Sequence, residues 1–317
     1  MSRIFAIHHR FIVKSSFLLI IVSAAGGWLY FFPENSRANS APLVTAVHIN
    51  TVSADSSQDQ SPIIPVEGTT RTVYINGTYQ DDDGCTDVSG SSNPLSAVFY
   101  RTDIIGGGDC TADSNNCYRL AANNCSILDC SSPSSTIASF SCSFPLQYYA
   151  DRTDSGANGA TDWTAAVTAT DQASATGMLT NSTEVASLVS LDVPATLEFG
   201  TLAINAISAE QTLVFTNWGN QTIDGLVSAA NFTCTTGTFP SNAIIFSPYS
   251  GSSFSSTSAS TSPVTFSFNL APLHNSPAAS GITSTYWKLA MPVPDNVGVF
   301  GYAGSCSTVT TVVATGV

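Results

Sequence analysis

The segment "RTVYINGTY", residues 71–79, predicts a β-strand because its apolar and polar side chains alternate. Val73, Ile75 and Tyr79 share one face, and more polar residues share the other, which is the period of two of a half-buried strand. The same alternation recurs along the chain, most regularly in "WTAAVTATD" (163–171) and "VTFSFNL" (264–270). Short strands at spacings of about 8–12 residues, with turns between them, favour an all-β chain built of sandwiches.

The N-terminus carries an export signal. Arg3, Arg10 and Lys14 precede residues 15–33, which are uncharged and largely apolar. This arrangement is typical of a signal peptide whose N-terminus stays in the cytoplasm. An apolar stretch of this length also suffices for a membrane span, so a cleaved signal and a retained single-pass anchor both stay open. Either alternative places the residues after about 40 outside the cytoplasm.

The charge balance narrows the class of partner. Charged residues make up only 10% of the chain, against roughly 25% in typical soluble proteins. From residue 39 onward there are five basic and 21 acidic residues, a formal charge of −16. Phosphate recognition needs clustered Lys and Arg, so we expect no nucleic-acid partner and no membrane contact beyond the N-terminal segment. The acidic balance favours cation binding or a basic partner.

The cysteines predict disulfides. Six of the eight lie in one stretch and two lie far downstream, as expected if each half of the chain closes its own bridges. We therefore predict a Cys234–Cys306 bond and pairing among the other six, for which 15 connectivities are open. A zinc site is not supported, because the cluster contains no Cys-x2-Cys motif and no histidine. The six are Cys85, Cys110, Cys117, Cys125, Cys130 and Cys142.

An acidic stretch follows the first strand. Asp81, Asp82, Asp83 and Asp87 lie in "QDDDGCTDVSG", and Asp171 ends the "VTATD" strand. In a sandwich these two strand ends can meet at one pole, where carboxylate oxygens are the ligands that calcium prefers. The alternative is a solvated acidic turn in which the carboxylates cap their own backbone. Calcium is the one cofactor that the sequence suggests, and no cofactor-binding or catalytic residue is assigned.

Enzyme signatures are absent from the sequence. There is no G-x-S-x-G, H-E-x-x-H or G-x-x-x-x-G-K motif. His48 and His274, the histidines outside the N-terminal segment, sit in no ligand or nucleophile spacing. We expect a non-enzymatic protein. Carboxylate pairs for glycoside cleavage need only proximity in space, so a hydrolytic module stays open as an alternative.

Two groups of short motifs carry a resemblance that covers residues 67–317. "VYINGTYQDDDG" followed by "WTAAVTATDQASATG" resembles bacterial and archaeal cell-surface proteins with immunoglobulin-like β-sandwich domains. The order "LEFGTL", "QTLVFTNWGN", "YWKLAMPVP", "GYAGSCSTVT" is similar to exported sandwich domains of cell-surface proteins, including WxL-like surface proteins. The resemblance implies adhesion, display or envelope structure. The cysteine-rich insertion departs from the minimal immunoglobulin-like pattern.

The expected organisation follows from these observations. It comprises a signal or membrane-anchor segment, a tether with a strand at "LVTAVHIN", a disulfide-rich immunoglobulin-like sandwich and a second β-sandwich, with bounds 1–38, 39–66, 67–186 and 187–317. The expected function is extracellular display for adhesion, partner binding or self-assembly, with a protein or glycan partner recognised through the loops between Cys110 and Cys130. Alternatives are a carbohydrate-binding or hydrolytic module and a subunit of a filament or surface layer.

Overall fold

A computed structural model describes residues 38–317 except 55, 121–124, 131, 133, 276–277 and 294–302. Residues 39–317 form one unit by their mutual contacts, and the described part is all-β apart from short helical turns. Its N-terminal region contains β1 (Leu43–Asn50), β2 (Thr70–Gln80), α1 (Cys85–Ser89), β3 (Leu95–Arg101), β4 (Cys117–Arg119), β5 (Cys125–Ile127), β6 (Ile137–Gln147), β7 (Trp163–Thr170) and β8 (Thr176–Thr183).

The C-terminal region contains the remaining strands. They are β9 (Leu191–Asp192), β10 (Gln211–Asn217), β11 (Ile223–Ala229), β12 (Phe232–Thr236), β13 (Thr238–Phe239), β14 (Ile244–Ser247), β15 (Thr257–Ser258), β16 (Val264–Leu270), β17 (Leu273–Asn275), β18 (Ala278–Ser280), β19 (Ile282–Leu289), β20 (Ala303–Ser307) and β21 (Thr310–Gly316). Single 3₁₀ turns lie at Gly107–Asp109, Gly156–Asn158, Ser241–Ala243 and Gly251–Ser253.

Two four-stranded antiparallel sheets build the N-terminal region, in the orders β1-β2-β6-β5 and β4-β3-β7-β8. Their inner faces share one core, in which Phe99 of one sheet meets Phe144 of the other with ring centroids 6.1 Å apart. The alternation that predicted β2 is present, since Val73, Ile75 and Tyr79 are fully buried. Asn76, on the opposite face, is also buried, and its side-chain amide donates hydrogen bonds to the carbonyls of Ser53 and Ser56, both at 3.0 Å.

The segment predicted as a tether, residues 39–66, contains the strand that the pattern "LVTAVHIN" indicates. Its residues 43–50 form β1, which pairs antiparallel with β2 from Leu43–Gln80 to Asn50–Tyr74. Ile63 is fully buried and forms a parallel bridge with Val185. The segment is therefore part of the N-terminal region's core, because its apolar residues alternate as a strand requires.

The cysteine-rich insertion also carries short strands. The strand β4 extends the sheet of β3, and β5 extends the sheet of β6. Three residues each suffice here because a disulfide fixes one end of both strands, at Cys117 and Cys125.

The C-terminal region packs a five-stranded sheet, β15-β14-β19-β10-β9, against a three-stranded sheet, β16-β11-β21. A cluster of aromatic side chains fills the space between them, with Phe215, Phe246, Phe266 and Trp287 almost fully buried. A second three-stranded sheet, β13-β12-β20, contains the Cys234–Cys306 bond, and β17 and β18 form a separate hairpin.

The β17–β18 hairpin contacts the N-terminal region. The side-chain amide of Asn115 donates to the Leu273 carbonyl at 3.2 Å, and the backbone N–H of Asn275 donates to Asn115 Oδ1 at 2.9 Å. Trp218, in the turn after β10, packs edge-on against Tyr148 with centroids 5.3 Å apart. Side chains of both regions therefore hold the two cores together.

Among the described residues, no helix is long and apolar enough to cross a membrane. The signal or anchor predicted at residues 15–33 lies outside the described part of the chain.

Candidate metal centre

Three carboxylates converge at one pole of the N-terminal region. Asp81 follows β2, Asp87 lies in α1, and Asp171 follows β7. One carboxylate oxygen of each lies within 4.8 Å of those of the other two. Asp81 and Asp171 are only 1% exposed, and Asp87 is partly buried. Since β2 and β7 belong to opposite sheets, the triad connects the two sheets of this region.

The short helix α1 brings the third carboxylate to the pole. Cys85 begins the helix and forms a disulfide with Cys130, and its carbonyl accepts a hydrogen bond from the Tyr79 hydroxyl at 3.1 Å. Val88 is fully buried on the inner side of the helix. These contacts fix the helix, so Asp87 is held in place although its own side chain is half exposed to solvent.

The carboxylate of Asp81 is only half satisfied. Its Oδ1 accepts the backbone N–H of Asp83 at 2.9 Å, whereas its Oδ2 is buried with no hydrogen-bond partner among the described residues. Burial raises the pKa of Asp81, and the negative charges of Asp87, Asp83 and Asp171 raise it further, against the lowering effect of the Asp83 N–H. An orphaned, buried carboxylate oxygen is costly unless a proton or a cation compensates it.

Burial and the negative charge of Asp81 also affect the hydroxyl group of Tyr79. Burial, and then the nearby Asp81 carboxylate, raise the pKa of Tyr79 to about 12. The described ion pairs of Lys, Arg and His include none of the three triad carboxylates. The pole is therefore strongly negative, and none of the ion pairs formed by described basic side chains offsets the charge of the triad.

Asn39 and Ser40, near the beginning of the described chain, close one side of the triad. Asn39 donates its side-chain amide to Asp171 Oδ2 at 2.8 Å, and the Ser40 N–H donates to Asp83 Oδ2 at 2.7 Å. The other oxygen of Asp171 accepts the Ala175 N–H at 2.7 Å, which fixes the turn between β7 and β8. Asn39 and Ser40 were not predicted from the sequence, because their partners lie 132 and 43 residues away and no motif connects them.

Two predicted ligands lie outside the triad. Asp82 is exposed and accepts a hydrogen bond from Gln80 at 3.2 Å, and Asp83 is exposed and holds Ser40. The Asp81 carboxylate bonds the N–H of Asp83 and closes an Asx turn, which directs the three adjacent side chains differently. Of the five predicted metal residues, the structure brings Asp81, Asp87 and Asp171 together.

The triad could hold a metal ion. It offers oxygen atoms only, which is the donor set of hard divalent cations. Its ligands come from two sheets and a disulfide-anchored helix, so the site is built by the fold rather than by one loop. The buried, unpartnered oxygen of Asp81 is the observation that separates it from an ordinary solvated acidic turn.

A second group of polar side chains lines an open pocket of about 660 Å³ between the two regions. Asp151 is buried there and accepts hydrogen bonds from the Arg101 guanidinium and from His274, the latter at 3.1 Å. Burial raises the pKa of Asp151 in spite of the opposing charges of Arg101 and His274. His48, the other histidine of the described chain, contacts exposed Asp59 at 3.3 Å.

All eight cysteines are paired, as Cys85–Cys130, Cys110–Cys117, Cys125–Cys142 and Cys234–Cys306. Four disulfides in one chain are typical of proteins that fold in oxidising compartments.

Comparison with solved structures finds weak similarities between this chain and other proteins. No family model matches the chain. No curated protein sequence matches it either. Dimeric latent PorU from Porphyromonas gingivalis is 12% identical, with a TM-score of 0.28 over 91% of this chain and 21% of that protein. The secreted serine protease VesC from Vibrio cholerae is 8% identical, with a TM-score of 0.18 over 81% of this chain and 50% of that one.

The native conformation of E. coli alpha-2-macroglobulin is 12% identical, with a TM-score of 0.21 over 80% of this chain and 16% of that one. This chain thus spans at most half the length of each of the three structures. At these TM-scores, none of the similarities bears on its activity.

Proposed function

We propose that this chain is a non-enzymatic extracellular protein of the cell surface or envelope, which displays immunoglobulin-like β-sandwich domains for adhesion, partner binding or assembly. The observation that carries the proposal is the set of four disulfides on an all-β scaffold. The sequence adds the export signal at residues 15–33 and the acidic, lysine-poor composition. The N-terminal segment is its only contact with the membrane, as a signal or an anchor.

The ion proposed for the triad is calcium. Calcium takes six to eight oxygen ligands in flexible geometry, and carboxylates at loop and strand ends supply them readily. Zinc prefers Cys and His, which the triad lacks. Magnesium demands near-ideal octahedral geometry, which is harder to meet with three carboxylates from separate elements. Isothermal titration calorimetry with calcium and magnesium tests the choice, with one calcium per chain expected and a much weaker response to magnesium.

Recognition of a partner is proposed for the loops between Cys110 and Cys130. Ile105, just before them, is 95% exposed, and the Cys110–Cys117 bond holds the neighbouring loop in shape. Loops fixed on a rigid scaffold commonly carry recognition. The β17–β18 hairpin covers Asn115 on one side of this surface, which leaves the side with Ile105 for a protein or glycan partner.

Export of the chain and disulfide pairing of its cysteines are tested together on intact cells that express the native chain. We expect added protease to cleave the protein without cell lysis, and a thiol reagent to label no cysteine under denaturing, non-reducing conditions. After reduction, all eight cysteines should react. Protection from protease in intact cells, together with labelled cysteines before reduction, would contradict extracellular display.

A carbohydrate-binding or hydrolytic module is the alternative that one observation favours. The pocket lined by Arg101, Asp151 and His274 places a buried carboxylate beside two basic side chains. A glycan array followed by a hydrolysis assay separates this alternative from the display function. The alternative is supported if the native chain binds or hydrolyses a glycan and Asp151→Asn abolishes this activity. The control Asp109→Asn, which changes an exposed carboxylate, should keep it. That result would favour a glycan-directed function over display.

A further inference from the structure

The two sheets of the N-terminal region meet at a seam between their edge strands β1 and β8. The strand β1 pairs only with β2, and β8 only with β7, within the described strands. They approach closely, since a Cβ on Gly177 would lie 1.9 Å from the Pro42 carbonyl oxygen. No backbone ladder joins these two described strands, so the seam has less hydrogen bonding than a closed barrel.

Side chains hold the seam at its far end. The Asn181 amide of β8 donates to the Val47 carbonyl of β1 and to Asp59 Oδ1, both at 2.9 Å. Nearby, the Thr183 hydroxyl donates to the Gln60 carbonyl at 2.7 Å. These contacts join the end of β1 and the segment after it to β8.

The carboxylate triad lies at the other end of the seam. Leu43, the first residue of β1, pairs with Gln80, which directly precedes Asp81. Asp171 closes the turn that leads into β8. Asn39 and Ser40, just before β1, hydrogen-bond to Asp171 and Asp83. Three mutually repelling carboxylates therefore lie where β1 begins and β8 begins.

We infer that calcium at Asp81, Asp87 and Asp171 acts as a clasp, which locks the β1–β8 seam and holds the chain at Asn39–Ser40 against the folded region. The inference rests on the calcium binding proposed above and adds its consequence for β1. Without the ion, repulsion among the carboxylates opens the pole, and Asn39 and Ser40 lose fixed acceptors. With the ion, the ends of the two sheets are joined where β1 and β8 begin.

Amide hydrogen exchange of the full-length chain in detergent micelles, read by mass spectrometry, tests the clasp. Calcium is compared with a chelator, and calorimetry measures binding on the same samples. We expect exchange in residues 39–50 to slow at least tenfold with calcium, while exchange in β14 is unchanged. Asp171→Asn should lose both the binding and the slowing. Asp82→Asn, which removes an adjacent exposed carboxylate outside the triad, should keep both.

Asn39→Ala provides a variant that keeps every carboxylate. It should bind calcium, yet residues 39–42 should exchange faster than in the native chain. One calcium bound without slower exchange in residues 39–50 would overturn the clasp and leave calcium binding standing. No binding of calcium would overturn both. Exchange in Asn39→Ala equal to that of the native chain would overturn the attachment of Asn39 and Ser40.

Discussion

Cys85 and Asp87 lie two residues apart on the five-residue helix α1, so the disulfide that fixes one also fixes the other. Cys85 is bonded to Cys130, and the carboxylate of Asp87 faces Asp81 and Asp171. A helix of one turn has little stability of its own. The covalent bond to a distant loop therefore positions the Asp87 carboxylate of the triad. If the triad binds calcium as proposed, we expect reduction of this disulfide to lower the affinity for the ion.

The first prediction separates this coupling from general stabilisation. Replacing Cys85 and Cys130 together by Ala opens a loop of 45 residues, for which chain entropy gives a loss of about 4 kcal/mol in the free energy of unfolding. We expect calcium affinity to fall as well, because α1 is released. Chemical denaturation and calorimetry measure the two effects.

The control for that prediction is the pair Cys110 and Cys117, whose loop spans seven residues. Its replacement by Ala should reduce stability by about 2 kcal/mol and leave calcium affinity unchanged, because it lies away from the triad. Equal losses of calcium affinity in both double variants would contradict a specific role for Cys85.

The second prediction concerns the repulsion in the metal-free triad. Asp81→Asn keeps the acceptor that bonds the Asp83 N–H and replaces the orphaned Oδ2 by an amide donor. We expect the calcium-free protein to become more stable by about 1 kcal/mol, while the stabilisation by calcium is lost. Denaturant unfolding in a chelator and in calcium measures both. A calcium-free variant less stable than the native protein would show that the Asp81 charge is satisfied without a metal.

The third prediction addresses the close approach of β1 and β8. A methyl group on Gly177 would meet the Pro42 carbonyl at 1.9 Å, so Gly177→Ala must push the strands apart and should reduce stability by about 3 kcal/mol, within the range of overpacked sites. In Gly108→Ala the added methyl group has no heavy atom within 4 Å, and stability should be unchanged. Thermal unfolding of both variants is the measurement, and an unaffected Gly177→Ala would show that the seam is open.

The fourth prediction is a pH dependence at Asp151. Arg101→Met leaves this buried carboxylate with His274 and the amide of Asn116 as partners, and removing one member of a buried pair costs about 3 kcal/mol. Burial raises the pKa of Asp151, so the native state takes up a proton at a higher pH than the unfolded chain does. The contribution of Asp151 to the free energy of unfolding is therefore present at low pH, and it is lost as pH rises through the pKa of Asp151 in the native state.

The loss of unfolding free energy in Arg101→Met should accordingly be largest at neutral and alkaline pH. It should become smaller at low pH, where Asp151 is protonated. Unfolding free energies at pH 8 and pH 4 measure it. Arg119→Met, which removes a half-exposed guanidinium bonded to the carbonyls of Gly108 and Cys110, should cost less than about 1 kcal/mol at both pH values. A pH-independent loss in Arg101→Met would contradict the raised pKa.

The strands were predictable because their signal is local. Val73 and Ile75 alternate with polar residues whatever the rest of the chain does, and both are buried. The burial of Asn76 was not predictable, since it depends on a loop that folds back over the outer face. The strand in residues 43–50 was visible as a pattern, but its place in the sheet depends on pairing with β2.

The candidate metal site was also predictable only in part. The ends of two strands predicted that Asp81 and Asp171 can meet at one pole, and the structure brings them together. The exclusion of Asp82 and Asp83 depends on one hydrogen bond in the turn, from the Asp83 N–H to Asp81. The contact of Asn39 with Asp171 spans 132 residues and leaves no trace in the local sequence.

The overlap of two disulfides determines what proteolysis can do to this chain. Cys85–Cys130 and Cys125–Cys142 overlap, so one or both span every peptide bond between residues 85 and 142. A protease that cuts once within the exposed loops there separates no fragment. We expect the nicked protein to migrate as one species on a denaturing gel until it is reduced, and then as two. If the chain is extracellular as proposed, it is exposed to proteases, and a cut in the proposed recognition loops would leave it in one covalent piece.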